Sequence, residues 1–163
     1  MTVAFDNAFY QLIGYEGGSA EDAGDRGGQT RWGISKRSYP TVDVLNLTLE
    51  QAKQIYLRDY WAPMRLDEVR DGAVAAEIFE QAVNFGLRGA AGNLQTALHY
   101  LGLSVKRDGV IGPETLAAVN QLKDAKALLK TLNGVQFMRY LEIVSADPAQ
   151  KKFARGWLRR VAL

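Results

Sequence analysis

The sequence of 163 residues contains no cysteine. A disulfide framework, a thiolate metal cluster and a cysteine nucleophile are thereby excluded, although the redox compartment stays open. Histidine occurs once, as His99. A histidine-rich metal site is excluded with it, and a Ser-His-Asp triad would have to draw its base from that one residue. Acid–base chemistry in this chain must therefore rest mainly on carboxylates. No segment approaches the ~18 consecutive apolar residues of a membrane span. The opening Met1-Thr2-Val3-Ala4-Phe5-Asp6 lacks the basic start and apolar run of a signal peptide, so a soluble protein made in the cytoplasm is expected. Gly27-Gly28-Gln29-Thr30 has no lysine and is not a phosphate loop.

What is present suits one compact globular domain: 47% of residues are hydrophobic and 23% charged. A domain of this length buries roughly 68–70% of its unfolded surface and needs no disulfide or metal to hold it. The net charge is only +2, but the halves differ. Residues 1–81 hold 8 basic and 13 acidic side chains, and residues 82–163 hold 12 and 5. The basic pole suits an anionic partner, and the field alone does not choose among nucleic acid, membrane surface and wall polymer.

Phe5, Phe9, Leu12 and Ile13 fall on one helical stripe, which Glu16 continues before Gly17-Gly18 ends it. Seven of the sixteen glycines lie between Gly14 and Gly33, predicting turns and a short hairpin. Thr30, Trp32 and Ile34 alternate with Arg31, Gly33 and Ser35 as in a small strand. Thr48-Leu49-Glu50-Gln51 is a capping box for a helix carrying Ala52, Ile55 and Tyr56. Asp71 caps the next helix, whose Val74, Ala75, Ile78, Phe79, Ala82 and Val83 give the wide apolar face of a central element ending near Asn84-Phe85-Gly86. Further helices are expected over 90–101, from Pro113, over 125–144 and after Asp147-Pro148. The fold class is mainly α, with a small β-hairpin near residues 28–35.

Glu16 is the leading candidate for chemistry. Its place on the apolar side and at the C-terminal end of its helix raises its pKa through desolvation and the helix dipole, which suits a general acid. The position alone also fits an ordinary last-turn glutamate in solvent. Asp25 and Thr30, in the glycine-rich turns, could hold a water across a cleft from Glu16, at the separation of roughly 6.5–9.5 Å that inverting glycosidases use. Ordinary turn chemistry accounts for the same two residues equally well. Trp32, Tyr15, Tyr39, Tyr60 and Trp61 offer faces for sugar stacking or for the core.

Glu16-Gly17-Gly18, Asp22, Asp25-x-Gly27-Gly28, Thr30 and Trp32-Gly33-Ile34-Ser35 together resemble the N-terminal signature of glycoside hydrolase family 108, muramidase-like proteins related to the phage-type lysozymes. Asn84-Phe85-Gly86, Leu94-Gln95 and Asp108-Gly109-x-Ile111-Gly112-Pro113-x-Thr115-Leu116 resemble the peptidoglycan-binding segment that accompanies that family. The resemblance implies a two-lobed lysozyme-like fold, with a catalytic lobe over 1–83 and a wall-binding lobe over 84–163. It implies Glu16 as catalytic acid helped by Asp25 and Thr30, with substrate contacts from Asp22, Trp32 and Asn84, and no cofactor or metal. Ala20-Glu21-Asp22-Ala23 departs from the family's usual Asn-Asp-Pro stretch, which leaves Asp22 as a competitor for the role of Asp25.

The expected reaction is cleavage of the β-1,4 bond between N-acetylmuramic acid and N-acetylglucosamine by inversion. A lytic transglycosylase and a non-catalytic wall-binding or secretion-accessory module are the alternatives. An endolysin-like protein would wait in the host cytoplasm and then reach the wall, with export as the other route. Bacterial peptidoglycan is the expected partner, nucleic acid is not, and a monomer is expected. Lys151, Lys152, Arg155, Arg159 and Arg160 interleave with Phe153 and Trp157, so the last helix either touches anionic envelope or docks its rings and leaves its cations in water. On chemistry alone the stretch from Asp108 to Thr115 is a turn feeding a proline-started helix, and His99 is a helix-surface residue.

Overall fold

A computed structural model describes residues 2–15 and 30–161. The chain runs through α1 (Val3–Tyr15), strands β1 (Thr30–Arg31) and β2 (Ile34–Ser35), α2 (Leu49–Tyr56), α3 (Gly72–Tyr100), α4 (Pro113–Gln121), α5 (Ala125–Ala146) and α6 (Lys151–Leu158). The protein is mainly helical, with a single small antiparallel hairpin among the described residues.

Most boundaries follow from local chemistry. At α2 the Thr48 hydroxyl accepts from the Gln51 amide while the Gln51 side chain accepts from the Thr48 amide, a reciprocal capping box. At α3 the Asp71 carboxylate accepts from the amides of Ala73 and Val74. α4 starts at Pro113, where a missing amide hydrogen costs nothing. Beyond α2 the helix widens into a π turn over Leu57–Trp61.

The core is aromatic where α1, α2 and α3 meet. Phe5, Phe9, Tyr56, Trp61 and Phe79 are all buried, and their rings pack at tilted or edge-on angles with centroids between 5.3 and 6.1 Å. These are the offset geometries that ring quadrupoles favour. α3 then serves as the axle, with α1 against its first half and α5 along its length. The Trp61 indole donates to Asp67 at 2.8 Å. That burial places Trp61 in the core and removes it from the residues able to stack on a sugar.

Two expectations need correction. The alternation of Thr30, Trp32 and Ile34 is not one strand: Thr30 pairs with Ser35 and Arg31 with Ile34 around a two-residue turn. Trp32 and Gly33 both take positive φ there, 54° and 74°, as a hairpin turn matched to strand twist requires. The Tyr56 hydroxyl occupies the space a Cβ on Gly33 would need, so any other residue there would displace that hydroxyl and strain the backbone. The central helix stops where expected, near Asn84-Phe85-Gly86: Gly86, at φ 73° and ψ 166°, leaves the helical region, and a second helical run continues to Tyr100 across the kink. Second, the cations of the C-terminal segment do not all lie in water, because Arg160 turns inward, as described below.

The Asp108–Thr115 segment is a structural turn, as its chemistry suggested. Buried Gln95 donates to the Asp108 carboxylate, the Val110 carbonyl and the Thr115 hydroxyl, and accepts from the Gly109 amide. His99 is exposed at the end of α3.

Candidate functional site

A cleft of about 390 Å³ opens between α1, α3 and α5. Ala8, Gln11 and Leu12 of α1 form one wall, Glu77 and Glu80 of α3 another, and Lys126, Lys130 and Asn133 of α5 the third, with Arg160 closing one side. Helical spacing explains the set. Glu77, Glu80, Gln81 and Asn84 recur every three or four residues along α3, and Asn133, Gln136 and Tyr140 do the same along α5, so two polar stripes face each other beside the apolar seam.

The stripes are tied together by amides. Gln136, fully buried, donates to Glu80 Oε2 at 2.7 Å, and Asn84 donates to Glu80 Oε1 and to the Glu80 carbonyl. Arg160 reaches across 76 positions of sequence to donate to Asn84 Oδ1 at 2.7 Å. Gln81 donates to Glu77 Oε1 at 2.9 Å and accepts from Asn93 at 2.9 Å.

Burial pushes the Glu80 carboxyl up to about 7, and the neighbouring Glu77 carboxyl adds to the shift, while Gln136, Arg160 and Asn84 partly oppose it. Burial also raises Glu77, and it raises the Tyr140 hydroxyl next to the Glu80 charge. A carboxyl that is half protonated near neutral pH beside an open cleft can donate a hydrogen bond or a proton. Both Glu80 oxygens, however, already accept amide hydrogens.

The raised pKa has a thermodynamic sign. Folded Glu80 binds its proton more tightly than the unfolded chain does, so its contribution to stability is complete below about pH 4.5 and is lost as pH rises through about 7. Glu80→Gln should remove that loss. Urea midpoints measured from pH 4 to 8 are expected to fall less steeply in the variant than in the wild type. Parallel profiles would mean that Glu80 is not held in its neutral form.

Of the six residues singled out from sequence, Glu16, Asp22 and Asp25 lie outside the described residues. Thr30 is exposed on β1. Trp32 is half-buried in the hairpin turn, its indole donating to the Leu47 carbonyl at 3.1 Å, its own carbonyl accepting from the Tyr56 hydroxyl at 3.2 Å, and the Arg31 guanidinium 6.0 Å from its ring. Asn84 sits in the Glu80–Arg160 network rather than capping a helix. Tyr39 is tied to Asp59 by a 2.9 Å hydrogen bond. Sequence reasoning missed Glu77, Glu80, Gln136 and Arg160. The paired polar stripes on α3 and α5 were the available signal for the first three, and nothing local pointed to the fourth.

Residues 9–86 match the family described as Glycosyl hydrolase 108. Residues 89–162 match the family described as Predicted Peptidoglycan domain. Among solved structures the chain is similar to that of SagA from Brucella abortus, at 27% identity and a TM-score of 0.75, over 96% of this chain and 88% of that one. No curated protein matches the sequence.

Proposed function

We propose, from the match of residues 9–86 to Glycosyl hydrolase 108 and of residues 89–162 to the Predicted Peptidoglycan domain family, that the chain is a muramidase that cleaves the β-1,4 bond between N-acetylmuramic acid and N-acetylglucosamine in bacterial peptidoglycan. The observation that carries this reading joins the cleft to the sequence signature. Ala8 and Leu12 line the cleft, and Glu16 is the next residue at the same four-residue spacing. Glu16 is the general acid that protonates the departing sugar oxygen. Asp25, with Thr30, holds the attacking water on the opposite face, so the reaction inverts the anomeric centre. Asp22 is the competitor for the Asp25 role, and Trp32 and Asn84 are candidate substrate contacts.

Among the described residues, Glu80 is the cleft carboxyl best suited to acid chemistry. Its two engaged oxygens make it a wall-former that positions Asn84 and Arg160, with Glu16 left as the proton donor.

Purified sacculi provide the test. Digestion should release reducing ends, and the fresh product should be the α-anomer by NMR. Sacculi that are bound without release of reducing ends would favour a non-catalytic wall-binding or secretion-accessory module. Anhydro-muropeptides in the mass spectrum would identify a lytic transglycosylase.

The protein acts as a monomer, held in the host cytoplasm until it reaches the wall. Lys151, Lys152, Arg155 and Arg159 form the face that meets anionic envelope, and Arg160 is withdrawn from that face by its bond to Asn84. Phe153, 44% exposed, lies beside Lys152 on the same helix, and Trp157 stacks on Tyr140. This contact predicts weaker action on whole cells than on soluble glycan once Arg155 and Arg159 are both changed to Gln.

A further inference from the structure

A second groove, of about 620 Å³, runs between the latter half of α3 and α5. Its lining, from Asn93 to Glu142, comes wholly from the segment read above as wall-binding, whereas the first cleft also draws on α1. The two openings share no residue. On α5 the first is lined by Lys126, Leu129, Lys130 and Asn133, and the second by Thr131, Gly134, Val135, Met138, Arg139 and Glu142. At about 100° per residue these sets lie on opposite faces of the helix.

The chemistry of the groove is distinctive. Tyr100 is 73% exposed and Met138 56%, so an aromatic face and a thioether stand in water on its two walls, a surface on which the apolar side of a sugar ring can lie. Arg107 and Arg139 also line it. Arg107 spends one N–H on the Thr96 hydroxyl at 3.0 Å, and Arg139 meets Glu142 at a loose 3.4 Å, so each guanidinium keeps donors for a carboxylate. Two arginines face one glutamate in the lining, within the basic half of the chain. A neutral glycan would use the ring and leave the guanidinium groups idle. A glycan whose sugars carry acidic side groups would use both.

We propose that this groove is a second, non-hydrolytic site that holds an uncleaved stretch of peptidoglycan. A sugar rests against Tyr100 and Met138, and a lactyl or stem-peptide carboxylate is received by Arg107 and Arg139. The assignment rests on the reading that the chain acts on peptidoglycan. It makes the enzyme bivalent toward the insoluble wall and monovalent toward a short soluble fragment, so damage to the groove reduces retention on the wall and leaves turnover of the fragment intact.

The test compares the full chain with a Tyr100→Ala, Arg107→Gln, Arg139→Gln triple variant on two substrates. Co-sedimentation with sacculi, made in a Glu16→Gln background so that the polymer is not consumed, should weaken at least tenfold in the triple variant. Turnover of a soluble peptide-bearing tetrasaccharide by the corresponding Glu16 proteins should stay within twofold. Unchanged sedimentation would overturn the second site. Equal losses in both assays would also overturn it, because the residues would then belong to the hydrolytic site. A wild-type protein that neither binds nor cleaves sacculi defeats the muramidase reading itself, an outcome distinct from the first two. Chitotetraose, which carries no carboxylate, should not displace the Glu16→Gln protein from sacculi, and displacement as effective as by the peptide-bearing tetrasaccharide would remove the arginines from the proposal. All three side chains stand at the surface, and an unchanged unfolding midpoint verifies that the triple variant is folded.

Discussion

Exchanging Glu16 for glutamine is expected to lower release of reducing ends from sacculi by at least ~10²-fold while leaving the unfolding midpoint unchanged. The substitution keeps the shape of the side chain and its capacity to accept and donate hydrogen bonds. It removes the one thing a general acid must supply, a transferable proton. Glycosidic oxygen is a poor leaving group unless it is protonated as the bond breaks, so the loss should appear in kcat rather than in wall binding. The pH profile gives an independent check of sign. On the proposed mechanism the acid form of Glu16 is the active one, so activity is expected to fall as pH rises through its pKa, and the alkaline limb should shift in active variants that alter its surroundings. The corresponding change at Glu80 should leave most of the rate, since that carboxyl works through amide contacts that glutamine partly preserves. Full activity in Glu16→Gln would move the acid role elsewhere, with Glu80 first in line.

The second large effect is on stability. Phe79 is fully buried on α3, and its ring meets those of Phe5, Tyr56 and Trp61. It is therefore the point at which α1, α2 and the turn after α2 are joined. Phe79→Ala deletes a ring that three neighbours cannot close around without breaking their own packing, and a cost of about 3–5 kcal/mol follows. That is a large fraction of the 5–15 kcal/mol typical of whole domains. Urea unfolding should show the loss as a lower midpoint at similar slope. Leu45, 57% exposed, offers the contrast, since its truncation should stay within about 0.5 kcal/mol. A Phe79→Ala loss below about 1 kcal/mol would mean that the aromatic cluster repacks, and that α3 is not the axle described above.

What was legible in the sequence was whatever depends on neighbours in sequence. The Thr48 box, the Asp71 cap and the Pro113 start each read correctly because a helix end is decided within four residues. The stripe of Phe5, Phe9, Leu12 and Ile13 read correctly because burial of one helical face needs only periodicity. The hairpin was placed but its turn was not, since alternation at Thr30, Trp32 and Ile34 looks the same whether or not the chain reverses at Trp32-Gly33. Asn84-Phe85-Gly86 also reads correctly as a helix end, because Gly86 takes the positive φ that stops a helix, and a second helical run follows it. In the cleft, Glu80 was hidden among ordinary helical glutamates until a partner stripe on α5 gave it Gln136. Arg160 reads as one of several surface cations, because nothing in the local run of basic and apolar residues tells which one turns inward to an asparagine 76 positions away.

The kinked passage of α3 through Gly86 has a consequence for how such chains can be recombined. The two family segments meet between residues 86 and 89, at the kink where one helical run stops at Gly86 and the next begins with no linker between them. A flexible linker absorbs insertions with little effect on the parts it joins. A kink without a linker does not: one residue added between 86 and 89 would shift the second helical run, which starts there, by about 100° in phase and about 1.5 Å in rise against its packing partners. Arg160 would be carried away from Asn84 and the α5 stripe away from Glu80. The halves are thus geared rather than strung together. Natural or engineered chimaeras that exchange the second half should retain function when the junction preserves helical phase, and lose it when the same residues are joined out of phase.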